Sequence, residues 1–126
     1  MRPIVVIVDD DRRVLDSIAM LMESAGYTSQ SFTSAEGFLQ SPALAAAACV
    51  IADVRMPGVD GLELQRRIRL VRPELPVIFI SAHGDDAVRN RALRDGAAAF
   101  FDKPFNCAAL LTAIATALSE RLPSSK

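Results

Sequence analysis

The chain has 126 residues, 51% of them apolar and 23% charged, with no Trp, which is the composition of one ordinary globular domain with a proper core rather than of a disordered or fibrous chain. Fourteen basic residues against fifteen acidic ones leave a net charge of -1, and no basic helix with interleaved aromatics is present, so direct nucleic-acid binding by this domain is not expected. No apolar run approaches membrane-spanning length and the amino terminus lacks a signal-peptide pattern, which predicts a cytoplasmic protein without a membrane partner.

The first element is an apolar run over 4–8, read as a strand, followed by Asp9-Asp10-Asp11. A helix over 12–25 comes next, with Val14, Leu15, Ile18, Leu21 and Met22 on one stripe and Gly26 as its stop. The second strand, 28–32, is the most polar, which marks it as the edge of a sheet. The alanine-rich segment 42–48 reads equally as an extension of a second helix, following the 28–32 strand, or as a loop. The strand over 49–52 ends in Asp53, and a helix over 61–71 buries Leu64, Ile68 and Val71 before Pro73. The strand over 77–80 ends in Ser81. The helix over 86–95 offers only Val88, Ala92 and Leu93 as an apolar anchor, so it is the element most easily moved. The last strand, 97–101, leads to Asp102-Lys103-Pro104, and a helix over 106–122 uses Leu110, Leu111, Ile114 and Leu118. Residues 1–122 are thus one domain, and 123–126 read as a polar tail or the start of a linker.

Strands alternating with helix-period segments predict a parallel sheet with helices on both faces. Cys49 and Cys107 have no metal-ligand spacing and are expected to be reduced and buried. His83, the sole histidine, is expected in a solvent-facing loop.

In open parallel sheets the ligand crevice lies beyond the carboxyl ends of the strands, so Asp9, Asp10, Asp53, Ser81 and Lys103 can converge on one site. Clustered carboxylates repel unless a cation joins them, and Mg²⁺ suits hard oxygen ligands. Lys103 supplies an ammonium that pairs with a carboxylate or a phosphoryl oxygen. Taken singly, each residue also has a plainer reading: an acidic helix start for Asp9 to Asp11, a turn serine for Ser81, a surface lysine for Lys103.

Taken together, five motifs in order make the chain resemble a response-regulator receiver domain of two-component signalling over essentially its whole length. They are Val8-Asp9-Asp10-Asp11, the run from Asp53 to Gly61 (Asp53-Val54-Arg55-Met56-Pro57-Gly58-Val59-Asp60-Gly61), Ser81-Ala82, Phe100, and Lys103-Pro104-Phe105. The resemblance implies a flavodoxin-like (βα)5 doubly wound parallel five-stranded sheet of order 2-1-3-4-5. It implies that Asp53 accepts a phosphoryl group from a sensor histidine kinase, that Asp9, Asp10, Asp53 and the backbone carbonyl of Arg55 hold Mg²⁺, and that Ser81 and Lys103 contact the phosphoryl group. Ser81 and Phe100 would form the switch, and the Lys103-Pro104 bond is a candidate for cis geometry. A phosphorylation-dependent homodimer through the helix over 86–95, the last strand and the last helix would carry the output. Asp53-Val54-Arg55-Met56-Pro57-Gly58 most resembles regulators with a C-terminal helix-turn-helix output domain. Phe100 stands where tyrosine is common, so a switch here would report packing more than polar contacts.

The main rival is a small phosphohydrolase of the haloacid-dehalogenase type, for which Asp9-x-Asp11 formally fits, although the chain is short for that fold. A receiver-like interaction module without phosphorylation is a second rival; an acidic cluster left without use would cost stability through repulsion. Ser81 lies outside any G-x-S-x-G elbow, which disfavours a Ser-His hydrolase.

Overall fold

A computed structural model describes residues 3–82 and 86–121. His83 and the tail over 123–126 lie outside the described residues. The order is β1 (Ile4–Val8), α1 (Arg12–Ser24), β2 (Thr28–Phe32), α2 (Ala35–Leu39), α3 (Ala43–Ala46), β3 (Ala47–Asp53), α4 (Gly61–Val71), β4 (Val77–Ser81), α5 (Asp86–Arg94), β5 (Ala99–Asp102) and α6 (Cys107–Arg121). The five strands pair in parallel in the order β2-β1-β3-β4-β5, the doubly wound flavodoxin-like sheet.

The central strands are apolar because helices cover both faces. Val6, Val8, Val50, Ala52, Val77 and Phe79 face α2, α3, α4 and α5 through Phe38, Ala43, Leu64, Ile68 and Ala92. Val5, Ile7, Cys49, Ile51, Ile78 and Ile80 face α1 and α6 through Leu15, Ile18, Met22, Leu110 and Ile114. β2 is the mostly exposed edge that its polar sequence indicates. Helix α1 starts on Asp11, whose side chain accepts from the Arg13 N–H. It ends where Gly26, at φ 89°, donates to the Glu23 carbonyl and Tyr27 donates to that of Met22. That left-handed exit is the one glycine adopts without steric cost.

Four expectations are corrected. The segment 42–48 forms a separate short helix, α3, and its last residues begin β3, because Ala47 and Ala48 are buried and Ala47 pairs with Ile4. Val71 is 61% exposed: the chain turns at Arg72, and Leu75 takes the core position instead. Leu93 is 42% exposed while Ala92 is fully buried, so α5 rests on the core through its small residue. Cys107 is exposed in the first turn of α6, and only Cys49 is a core thiol.

Candidate phosphoacceptor site

The ends of β1, β3, β4 and β5 lie side by side, and the parallel register puts Val8 opposite Ala52, Asp53 opposite Ile80 and Ser81 opposite Asp102. Asp9, one residue past β1, is 2% exposed, and its main-chain N–H donates to the Phe32 carbonyl of the neighbouring strand. Asp53, the last residue of β3, is 8% exposed. Lys103 donates from Nζ to Asp9 Oδ2 at 3.1 Å and to Asp53 Oδ2 at 3.4 Å, so one ammonium bridges carboxylates from two strands.

The remaining oxygens are held from below by main-chain donors. Asp9 Oδ1 accepts from the Asp11 N–H at 2.9 Å, and Asp53 Oδ1 accepts from the Arg55 N–H at 3.2 Å. Asp10 is exposed, and one carboxylate oxygen from each of Asp9, Asp10 and Asp53 lies within 4.8 Å of the others. Three hard oxygen donors this close fit a small divalent cation such as Mg²⁺. Burial, chiefly, and the neighbouring Asp53 push the Asp9 carboxyl above its ordinary value, against the lowering effect of the Asp11 N–H and Lys103. Burial opposes the charge on Lys103, yet the carboxylates of Asp53 and Asp9 outweigh it and hold the ammonium above the ordinary lysine value.

Ser81 ends β4 and is 2% exposed; its carbonyl accepts from the Lys103 N–H at 2.7 Å, which ties the lysine backbone to the serine strand. The Lys103-Pro104 peptide is cis. Phe100 is buried in β5 with its ring centroid 6.1 Å from that of Phe79. The Asp11 side chain caps α1 by accepting from the Arg13 N–H, and the carboxylates grouped with Asp9 are those of Asp10 and Asp53.

Two supports were not singled out from the sequence. Gly61 opens α4 where a Cβ would meet the Asp53 carbonyl oxygen at 2.5 Å and the Val54 Cα at 2.7 Å, so only glycine lets the helix start this close to the acidic residue. Its N–H donates to the Val54 carbonyl at 2.8 Å. Glu36 of α2 reaches over to accept from the Val59 N–H at 3.4 Å, holding the loop after Asp53. The Gly61 signal was present in the run ending Asp60-Gly61; the Glu36 contact spans 23 residues of sequence and left none.

Comparison with known proteins agrees with this geometry. The response regulator receiver domain family matches residues 5–115. The response regulator protein TmoT of Ectopseudomonas mendocina is 44% identical over 115 residues, covering 91% of this chain and 52% of TmoT. The transcriptional regulatory protein FixJ of Bradyrhizobium diazoefficiens is 35% identical over 120 residues, 95% of this chain and 58% of FixJ. The structure of response regulator StyR superposes with a TM-score of 0.87 at 38% identity, covering 96% of this chain and 61% of StyR.

The strand ends gather Asp9, Asp10 and Asp53 with Lys103 paired to Asp9 and Asp53, and the family and structural matches class the domain as a signalling receiver rather than a catalytic enzyme domain. The chain belongs to the response regulator receiver domain family. It spans about half the length of the curated relatives it matches. Among the described residues, no helix is long and apolar enough to cross a membrane.

Proposed function

We propose that residues 1–122 form a phosphoacceptor domain in which Asp53 takes a phosphoryl group from a phosphohistidine of a sensor kinase. The observation that carries this reading is the Lys103 ammonium held between Asp9 and Asp53, with Asp10 completing an oxygen cluster. An Asp53 carboxylate oxygen forms the bond to phosphorus as the P–N bond to histidine breaks, and the nitrogen keeps the electron pair. The product is an acyl phosphate.

Asp9, Asp10, Asp53 and the Arg55 carbonyl would hold Mg²⁺, which when bound supplies positive charge to the phosphoryl oxygens. Lys103 neutralises further charge from the other side, and the Ser81 hydroxyl donates to a phosphoryl oxygen. Little covalent work is needed from the protein beyond alignment and electrostatics. The tethered N–H groups of Asp11 and Arg55 keep the carboxylates in place before the donor arrives.

Phosphorylation then biases Ser81, Phe100 and α5, and a homodimer through α5, β5 and α6 carries the signal in the cytoplasm. A C-terminal DNA-binding output domain outside this chain belongs to the same reading, supported by the name transcriptional regulatory protein of its relative FixJ.

Incubation with Mg²⁺ and acetyl phosphate tests it by intact mass. The expected result is a gain of one phosphoryl group that is abolished in Asp53→Asn and by chelation. A wild-type protein that stays unlabelled overturns the reading, and steady turnover of small phosphate esters points to a phosphohydrolase instead.

A further inference from the structure

Helix α5 is tied to its surroundings at two levels. Near its carboxyl end, the buried Gln65 of α4 donates from Nε2 to the Ala92 carbonyl at 3.0 Å, and the Arg69 guanidinium donates to the Asp95 carbonyl. One turn earlier, Arg89 crosses to β5. Its guanidinium carbon lies 5.3 Å from the centroid of the Phe100 ring, and its Nη2 donates to the Phe100 carbonyl at 3.4 Å.

Phe100 is therefore enclosed between an aromatic floor, the Phe79 ring tilted by 48°, and a cationic lid. Arg89 is half-buried in this position, whereas Arg91 and Arg94 of the same helix are exposed. A phenylalanine has no hydroxyl to hold its rotamer by a hydrogen bond. Its orientation rests on packing and on the attraction between the guanidinium and the ring face.

We propose that Arg89 is a positioning residue, a latch that keeps Phe100 in its buried rotamer and joins that rotamer to the placement of α5 as one two-state element. If the ring swings outward, the guanidinium loses its face; if α5 shifts, the ring loses its lid. The carboxyl end of α5 stays pinned through Gln65 and Arg69, so the helix moves about that end and Arg89 rides on the moving part. The planar, weakly hydrated guanidinium suits this contact better than an ammonium would. The input to the latch rests on Asp53 being the phosphoacceptor. The latch itself is a property of the unmodified protein.

The test compares Arg89→Gln, Arg89→Lys and the exposed-site control Arg91→Gln by NMR of ring-labelled phenylalanine and by hydrogen exchange of the α5 amides. Each is made alone and in a Phe100→Leu background. In the unmodified protein, Arg89→Gln should shift the Phe100 ring signals and lower the buried rotamer's equilibrium about fivefold. Arg89→Lys should restore part of this, and Arg91→Gln should leave it unchanged. The faster α5 exchange caused by Arg89→Gln should shrink in the Phe100→Leu background, because the ring contact is then lost and only the 3.4 Å bond to the main-chain carbonyl of residue 100 remains. Unshifted ring signals, or effects of Arg89 and Phe100 that simply add, overturn the latch. If Arg89→Gln does not fold, Arg89→Lys is read by the same criteria. Addition of acetyl phosphate with Mg²⁺ should move ring and α5 signals together in the wild type. Failure of Asp53 to take the label refutes the phosphoacceptor reading, while the measurements on unmodified protein still decide the latch.

Discussion

Replacing Lys103 by methionine leaves Asp9 and Asp53 facing each other with no ammonium between them. At the observed 3.1 and 3.4 Å, each ion pair amounts to about 5 kcal/mol of gross attraction at an effective dielectric of about 20, most of it offset by the desolvation of the three groups. The repulsion left behind sets the net scale: two carboxylate oxygens within 4.8 Å repel by about 3 kcal/mol at the same dielectric. The cluster can limit this by taking up a proton, and from the ordinary value of 3.8 that costs at most about 4 kcal/mol at neutral pH. Lys103→Met should therefore destabilise the metal-free protein by about 3 kcal/mol at pH 7, and by less at pH 5, where a proton is cheaper to bind. Urea denaturation at the two pH values measures this. Mg²⁺ should raise the midpoint more in the variant than in the wild type, because the cluster carries one more uncompensated negative charge. A variant as stable as wild type at pH 7, or one less responsive to Mg²⁺, would refute the electrostatic account of the site.

Gly61→Ala forces a Cβ against the Asp53 carbonyl and should cost about 2–3 kcal/mol in denaturant melts, with slower labelling of Asp53; an unchanged midpoint would show that α4 can withdraw freely. Gln65→Met keeps the volume but removes one of the two donors to the Ala92 carbonyl, which keeps the Ala97 N–H at 2.9 Å, at a cost of about 0.5–1.5 kcal/mol, read as faster hydrogen exchange in α5 than in α4. Glu63 accepts from Arg66 and Arg67, which lower its carboxyl from 4.5 to about 2, so its contribution to stability is complete above 4.5 and is lost as the pH falls through about 2. An NMR titration of the Glu63 carboxyl should show this, and high salt should return the midpoint toward 4.5 because both ion pairs lie at the surface, where salt screens them.

The strands and the acidic cluster were legible because their signals are local. Apolar runs over 4–8, 49–52 and 77–80 mark buried parallel strands, and the chemistry sits on the next residue of each. Strand pairing then converts large separations in sequence into contact, as for Lys103 with Asp9 across 94 residues. What escaped depends on which long-range partner covers a side chain. Val71, Leu93 and Cys107 have the apolar character of core residues, but a helix end, a close-fitting Ala92 and an open first turn leave them in solvent. Gln65 is the converse case, a polar residue on the inner stripe of α4 whose partner is a carbonyl 27 residues away. Arg72 likewise donates to the carbonyls of Leu44 and Ala47, a contact that fixes the short α3 and that no periodicity encodes.

The acidic cluster and the lysine together explain why a receiver site should respond to charge. Raising Asp9 above 3.8 means that the native state binds its proton more readily than the unfolded chain does. The stability this gives is full below 3.8 and disappears as the pH rises through the folded-state value, so at neutral pH the ionised Asp9 carboxylate is a cost. Lys103 is raised as well, but its window lies far higher: its contribution is full below 10.5, and so intact at neutral pH, and is lost only in stronger alkali. One ammonium cannot neutralise three carboxylates, so the metal-free site keeps a net negative charge that a divalent cation would relieve. A phosphoryl group added to Asp53 would bring fresh negative charge to the same place, and the cation and Lys103 are the groups able to balance it. The charge imbalance that weakens the resting fold is thus what allows the site to take up a cation and a phosphoryl group at little structural cost.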